Sequence, residues 1–540
     1  MMLRRAILNH SLPTVPDGAS PAAFEPSGSP LLAIPPFPGA RLPRFAQSGP
    51  AERGDAGAWL AAIVHHRVGG CYWGLEAEVT GSHHLLDGTV NPVAGAWVWS
   101  RDADPWPLLE RAVQVRLPPG DSRAVLALAA GVPLTLVGPD GTERPGEADA
   151  AALIESSLAG WHWRDPFSGR SLSVAEAIAL CGFWREQIDR NRSITSVLGI
   201  ADWKKPTLSP LLWGGQEVPY GAPLTARRPG SDIVALWRSR LTPAQLLDLA
   251  RSEPAVLEIE DGFIRSIGLG ANCVPPLSAI VDPVGIHFDP TGPSALEDML
   301  QNGPFNPELC DRAARLRQSI VAAGLSKYGR EEVRPLPRPG GARRHVLVPG
   351  QVEDDRAVTS GLALPSNLEL LRRARAEAGP DAFVIYKPHP DVLAGHRRGE
   401  VGLRELAGLA DRVVTEAPMA GLIDMVDGLH VNTSLAGFEA LLRGKPVTVW
   451  GVPFYAGWGL TTDRGAIPSR RTATRTLDEL VAATLLLYPR YLDPETGLPC
   501  PPEVLVERLT EGTQRLDRRA SALVAFRKVL GRVSRLFGPS

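Results

Sequence analysis

The stretch Asn432 to Leu460, N-T-S-L-A-G-F-E-A-L-L-R-G-K-P-V-T-V-W-G-V-P-F-Y-A-G-W-G-L, constrains the fold more than any other part of the chain. A strand end runs into a small-residue turn, then a helix, then a second strand at Val447 to Trp450, then a loop rich in Gly and aromatic residues. Strand–helix–strand order is the building unit of an α/β sheet. Thr433 and Ser434 stand where the helix begins. Hydroxyls there cap a helix, and the exposed N–H groups and dipole of that end suit an anion such as phosphate. Glu439 lies about one and a half turns further in, within reach of a sugar hydroxyl of a nucleotide whose phosphate rests on the helix end. A phosphate-binding helix end with a buried carboxylate behind it, on a twisted α/β sheet, is the usual arrangement in the donor half of a nucleotide-sugar transferase. The competing interpretation is a capped helix with a solvent-facing Glu, and this stretch alone favours it.

Three further segments shift the balance. Val346 to Val358, V-L-V-P-G-Q-V-E-D-D-R-A-V, is an apolar run that ends in Gln351 and the acids Glu353, Asp354 and Asp355. Ala382 to Val392, A-F-V-I-Y-K-P-H-P-D-V, is a second β-rich run, delivering Lys387, His389 and Asp391. Val256 to Arg265, V-L-E-I-E-D-G-F-I-R, is a strand that stops at Glu260–Asp261, with Gly262 for the turn. Open α/β sheets bind ligands beyond the carboxyl ends of their strands. Polar groups at four such ends fit one cleft better than four unrelated loops.

Together these segments carry a family resemblance. E-D-G-F-I-R-S-I-G-L-G (260–270), P-P-L-S (275–278), L-S-K-Y (325–328), Q-V-E-D-D (351–355), K-P-H-P-D-V (387–392), S-L-A-G-F-E-A-L-L-R-G-K-P-V (434–447) and P-F-Y-A-G-W-G-L-T (453–461) resemble the KpsC-type β-Kdo transferases, in the family's order. The resemblance runs from about Thr195 to the end of the C-terminal helices. Those enzymes build the short Kdo linker at the base of lipid-anchored bacterial capsular polysaccharides. The resemblance implies a GT-B fold, with two Rossmann-like domains facing a cleft. It also implies a CMP-Kdo donor, retention of anomeric configuration, no metal and no cofactor.

Composition fits a large globular protein of two or three domains: 540 residues, 44% hydrophobic and 21% charged. The net charge of −2 implies no general affinity for nucleic acid. The five cysteines are scattered without CxxC pairs, which argues against a zinc site and fits a reducing compartment. No apolar run approaches a membrane span, and the first residues lack a signal-peptide core, so a cytoplasmic protein is expected.

Residues 1–55 are rich in Pro, Gly and Ser and are expected to be a poorly ordered lead-in. Residues 56–200 hold a hidden repeat. Leu109 to Gly138 matches Leu422 to Gly451 in pattern, with Gly131 and Pro133 falling on Gly444 and Pro446. Asp165 to Gly169 matches Asp493 to Gly497, and weaker matches place Val98 to Arg101 on Val384 to Lys387. Between the two stronger matches the first copy is shorter, where the second carries P-F-Y-A-G-W-G-L-T. The first copy lacks the chemistry, since Leu126 replaces Glu439 and Gly120–Asp121 replaces Thr433–Ser434. It is interpreted as a degenerate partial αβ module, the alternative being chance similarity of two Ala/Leu-rich units. KpsC-type proteins carry two modules in tandem, so the resemblance supports the first. One complete module puts in doubt both of the family's alternating linkages. It is divided into an acceptor-side Rossmann-like domain (201–335), a Pro/Gly/Arg linker (334–344), a donor-side domain (340–471) and C-terminal helices (472–540).

Roles follow residue by residue from the family pattern. Asp355 matches the family's carboxylate, four residues after Gln351, and is assigned as the nucleophile of a retaining transfer; the alternative is a carboxylate capping the next helix. Glu260 and Asp261 resemble the acidic pair before Gly in bacterial sialyltransferases and are candidates for the base on the acceptor hydroxyl; the alternative is an ion pair with Arg265 or Arg240. His389 is assigned to the leaving CMP phosphate, the alternative being a satisfied loop histidine, and Lys387 to that anion or the Kdo carboxylate. Thr433, Ser434 and Gln351 complete the donor site, with Glu439 on the ribose. Tyr455 and Trp458 are expected to pack the loop or line the cleft rather than to perform chemistry. The tail Arg515 to Ser540 has seven basic residues against Asp517, with Leu523, Phe526, Leu530, Val533 and Phe537 at helical spacing. It is either an amphipathic helix on an anionic membrane surface, carrying the enzyme to a glycolipid acceptor, or a helix packed on the core. The rival functions are transfer of another nucleotide-activated sugar and a non-catalytic assembly or export component of the same fold.

Overall fold

A computed structural model describes residues 29–512, apart from 78–80, 91–94, 225–231, 267–273, 327–328, 331–335 and 396. The basic tail and the first 28 residues lie outside the described residues. The chain forms two compact units. One comprises the first 194 residues with Leu212–Val218 and Thr496–Leu498; the other comprises Thr195–Leu211, Pro219–Glu495 and the remainder from Pro499.

The first unit is built on a sheet in the spatial order Trp97–Val98, His83–Leu86, Ala112–Leu117, Leu134–Val137, Glu143–Pro145. The first four strands are parallel and the last is antiparallel. Helix Arg123–Ala129 joins two of the parallel strands and is buried along almost its whole length, as its run of Ala, Val and Leu requires. Gly131 follows it at φ +67°, a left-handed turn that favours glycine.

The second unit contains two sheets. The acceptor-side sheet has the order Pro499–Cys500, Pro489–Leu492, Ser278–Asp282, Ala255–Asp261, Ile233–Leu236, Ser196–Leu198. Its last three strands are parallel and the others antiparallel. The donor-side sheet is parallel throughout, in the order Arg412–Val413, Phe383–Lys387, His345–Pro349, Gly428–Val431, Val447–Val449, Thr462–Asp463. Its central strand is wholly buried, which explains its unbroken apolar run. Two Rossmann-like sheets in one unit are the expected GT-B architecture.

The repeat holds at the level of structure. The first unit's sheet follows the strand order of the donor-side sheet from Phe383–Lys387 to Thr462–Asp463, except that its fifth strand runs the other way. Helix Leu435–Leu442 stands where Arg123–Ala129 stands, and Gly444 has the same φ as Gly131. A π-helical turn precedes Trp161–Arg164 in the first copy and Pro489–Leu492 in the second. Both strands end in an Asp-led turn closed by a left-handed glycine, Gly169 and Gly497.

Three boundaries differ from expectation. The lead-in is packed from residue 29 onward: Leu31, Leu32, Phe37 and Phe45 are buried, and Ala46–Ser48 pairs with Trp161–Trp163. Pro and Gly there shape an irregular path, while the apolar side chains between them supply the burial that holds it. Ser196–Leu198 belongs to the acceptor-side sheet, because its backbone pairs with Val234–Leu236, so the units divide near Thr195 rather than at 200. The segment after 471 is not only helical: Pro489–Leu492 and Pro499–Cys500 extend the acceptor-side sheet, and Pro502–Thr510 is its last described helix.

Candidate functional site

The candidate donor residues come from the carboxyl ends of three neighbouring donor-side strands. His345–Pro349 leads to Gln351, Phe383–Lys387 to His389, and Gly428–Val431 to Thr433 and Ser434. Gln351 ties two of these ends together. Its Oε1 accepts from the Thr433 N–H at 3.0 Å, and its Nε2 donates to Thr433 Oγ1 at 3.2 Å. Asn367 in turn fixes Gln351, accepting from its N–H at 2.9 Å and donating to its carbonyl at 2.7 Å.

Ser434 caps the Leu435–Leu442 helix, its Oγ accepting from Ala436 N–H at 3.2 Å. Both hydroxyls therefore use a lone pair inside the protein and retain a proton to donate. The N–H of Leu435, at the first helical position, has no intrahelical acceptor. Glu439 is buried, so the solvent-facing interpretation does not hold. Tyr455 and Trp458 are fully buried, as expected, and the Tyr455 hydroxyl donates to the Ser434 carbonyl. The helix approaches this loop so closely that a Cβ on Gly437 would lie 2.3 Å from the Tyr455 oxygen.

His389 caps the short Pro390–Leu393 helix, with Nδ1 accepting from Asp391 N–H at 3.2 Å. An accepting Nδ1 puts the proton of the neutral ring on Nε2, making that nitrogen a donor. Lys387 is buried and donates to the Ala417 carbonyl at 2.9 Å. It serves the backbone of the loop after Arg412–Val413, a partner its sequence did not announce.

Asp355 is exposed and caps the Arg356–Thr359 helix, its Oδ1 accepting from Ala357 N–H at 2.9 Å. The capping alternative therefore describes one of its oxygens and leaves the other available. The neighbouring acids are used elsewhere: Glu353 accepts from Asn367 N–H at 2.7 Å, and Asp354 pairs with Arg397 at 3.2 Å.

On the acceptor side, Asp261 is ion-paired with Lys204 at 3.1 Å and with buried Arg265 at 2.8 Å, and Glu260 accepts from the Asp261 N–H. The Arg265 pairing foreseen as the alternative is present. Lys204 was not foreseen. Its ammonium sits 3.1 Å from the centre of the Trp237 ring, and burial lowers its pKa to about 8 against the pull of Asp261. Nothing in D-W-K-K-P separates this lysine from a surface one.

Among the described residues, the contacts that join the acceptor and donor halves of the second unit include three that bear on the site. Buried Glu258 pairs with Arg238 at 2.9 Å and, across the halves, with Arg356 at 2.9 Å, next to Asp355. Phe263, two residues after Asp261, packs on Phe454 and Phe438 at ring separations of 4.7 and 6.2 Å. Glu297 receives Arg471 at 2.7 Å and also pairs with Arg470. Glu258 shares a strand face with Glu260, the one sequence hint of its role. Among the described residues no cluster of three or more His, Cys, Asp or Glu is placed to hold a metal ion, and no helix is long and apolar enough to cross a membrane.

A family model described as capsule polysaccharide biosynthesis protein matches residues 336–491. Capsule polysaccharide modification protein LipA of Neisseria meningitidis serogroup B is 35% identical over 405 residues, covering 72% of this chain and 55% of LipA. Lipopolysaccharide-processing protein LpsZ of Rhizobium meliloti is 48% identical over 245 residues, 45% of this chain and 55% of LpsZ. The chain thus spans about half the length of the curated relatives it matches. Among solved structures, the KpsC beta Kdo 2,4 transferase of Thermosulfurimonas dismutans is 34% identical with a TM-score of 0.51, over 59% of this chain and 98% of that one.

Proposed function

The chain belongs to the KpsC-type family of capsule polysaccharide biosynthesis proteins, and from that premise we propose that it is a retaining glycosyltransferase that moves Kdo from CMP-Kdo to a Kdo- or lipid-linked acceptor. The observation that carries this reading is the Gln351 clamp on Thr433, which brings the candidate nucleophile loop and the candidate phosphate-binding helix end to one place.

In the first half-reaction a carboxylate oxygen of Asp355 bonds to the anomeric carbon while the bond from that carbon to the CMP phosphate oxygen breaks. CMP leaves with the electron pair. Its charge is met by the Leu435 end of the helix, the Thr433 and Ser434 hydroxyls and the Nε2–H of His389. Glu439 holds the ribose. In the second half-reaction the acceptor oxygen bonds to the same carbon, Asp355 is released, and the hydroxyl proton passes to the Glu260–Asp261 pair. Two inversions retain configuration. A monophosphate diester needs no cation beyond these donors, so the reaction is proposed to run without metal.

The place of action is proposed to be the inner face of the cytoplasmic membrane, where a glycolipid acceptor is anchored. The test is incubation with CMP-Kdo, generated in situ, and a Kdo-capped lipid acceptor, followed by mass measurement. A product heavier by one or more Kdo residues is expected. No addition from CMP-Kdo, with another nucleotide sugar consumed instead, would overturn the assignment.

A further inference from the structure

A cavity of about 400 Å³ opens at the carboxyl ends of the Ser196–Leu198 and Ile233–Leu236 strands. Its volume is within the roughly 300–1,000 Å³ of small-ligand sites. The turn Gly199–Ala201, Lys205, Tyr220, Arg240 and Gln245 line it, so it presents two cations and no acid. We propose that it is an acceptor subsite for a carboxylate-bearing sugar, one residue removed from the sugar that reacts; this rests on the transferase reading above.

The chemistry of the lining supports the choice of ligand. Arg240 is exposed and forms no ion pair among the described residues, whereas its neighbour Arg238 is held by Glu258 and Arg265 by Asp261. A guanidinium recognises a carboxylate through two parallel hydrogen bonds. Lys205 pairs with Asp202 at 2.8 Å, but that Asp side chain is 94% exposed. A pair so placed is worth about 0–1 kcal/mol, and an incoming carboxylate competes with it. Gln245 spends its Oε1 on the Thr242 N–H at 3.0 Å, so its NH₂ is the group it can offer. The Tyr220 ring carries the Lys205 ammonium 5.1 Å from its centre and is held by a hydrogen bond between its hydroxyl and Ser209 at 3.1 Å, which positions that cation at the cavity.

Position supports the role. Three consecutive strands of the sheet end at the cavity (Ser196–Leu198 and Ile233–Leu236) and at Asp261 (Ala255–Asp261). The Ser196–Leu198 strand lies two strand spacings, about 10 Å, to the side of the Ala255–Asp261 strand. Neighbouring sugars of one oligosaccharide acceptor can lie across the ends of these strands. Adjacent lysines divide the work, Lys204 on Asp261 and Lys205 at the cavity.

The experiment compares the full-length protein with Arg240→Ala, Lys205→Ala and Arg240→Lys, using Arg251→Ala as a surface control. Three acceptors are used: one ending in two Kdo residues, the same with the inner carboxylate reduced to an alcohol, and one with a sugar phosphate in that position. Each alanine variant is expected to raise KM for the di-Kdo acceptor about tenfold, the weight of one charge-assisted hydrogen bond, with kcat little changed. Arg240→Lys recovers part of the loss, and the reduced acceptor is equally poor with every variant. An unchanged KM, an equal loss with the reduced acceptor, or a preference for the phosphate acceptor would overturn the subsite. If the wild type transfers no Kdo at all, the transferase reading has failed. The cavity is then judged by titrating the methyl glycoside of Kdo into wild type and Arg240→Ala. At least tenfold tighter binding by the wild type supports it, and equal binding refutes it.

Discussion

Replacing Arg471 with Met tests how the aromatic loop at 453–459 is held. The Arg471 side chain is 3% exposed. Its Nε donates to Glu297 at 2.7 Å, its Nη1 to the Pro453 and Ala456 carbonyls at 2.9 Å each, and the guanidinium lies 5.6 Å from the Trp458 ring centre. Burial lowers its pKa, so its charge is tolerated only because Glu297 offsets it. Breaking a buried pair costs about 3–5 kcal/mol. Arg470 still faces Glu297 after the change, which argues for the lower end of that range for the pair alone. Two carbonyls left without partners add roughly 1–3 kcal/mol each. The lower ends of these ranges sum to about 5 kcal/mol, which is the loss expected. Urea unfolding followed by tryptophan fluorescence reads the global effect, and hydrogen exchange over residues 452–460 reads local opening. Because the loop packs on the Leu435–Leu442 helix, CMP affinity should fall in parallel. Arg471→Lys should recover less than half, since an ammonium cannot serve three acceptors from one plane. A loss below about 0.5 kcal/mol with unchanged exchange would show that aromatic packing alone holds the loop.

Asp355→Asn is expected to abolish transfer while keeping the fold and CMP binding, because Asn also caps a helix; substantial turnover would remove Asp355 from the nucleophile role. CMP is expected to bind in the presence of chelator at one site per chain; binding restored only by magnesium or manganese would defeat the metal-free mechanism. The single site follows from the first unit, where the guanidinium of buried Arg123 sits on Asp87, on Asp121 at 2.7 Å and on the Trp99 carbonyl at 2.7 Å, at the ends of three parallel strands. Arg123→Met should destabilise that unit by about 3–5 kcal/mol, measured by thermal unfolding, and an equally stable variant would refute the buried cluster as its support. Burial pushes the His430 imidazole down from 6.5 to about 4. The unfolded chain takes up this proton as pH falls below about 6.5 while the folded chain resists it, so stability present above that pH is lost toward pH 4, by at most about 3 kcal/mol. His430→Gln, which still offers an acceptor to Trp450, should flatten the slope of stability between pH 6.5 and 4; an identical slope would exclude His430 as its source.

The repeat and the α/β class were legible because strand runs, caps and left-handed glycines are set by neighbours a few residues apart. The same holds for Gly131 and Gly444, and for Ser434 as a cap. The strand-end rule placed Gln351, His389 and Thr433 correctly at one edge of one parallel sheet, since a polar residue that closes a buried apolar strand must emerge at its end. Burial and charge partners were not legible. Glu439 reads like any helical glutamate but is buried, and Lys387 reads like an anion ligand but serves carbonyls of a loop beyond the next strand.

What the sequence alone determined is therefore the local units, their repeat and the residues that end each strand. Tertiary structure decided which of those ends meet and which charges are answered. Glu258 finds Arg356 from 98 residues away, Glu297 finds Arg471 from 174, and the strands at 489–492 and 499–500 return to a sheet begun near residue 196. Such partners are chosen by desolvation: a buried carboxylate must be paired, and a strand edge must be hydrogen-bonded, by whatever the folded chain brings near. Proximity in space, unlike helix periodicity, leaves no trace in the spacing of residues along the chain.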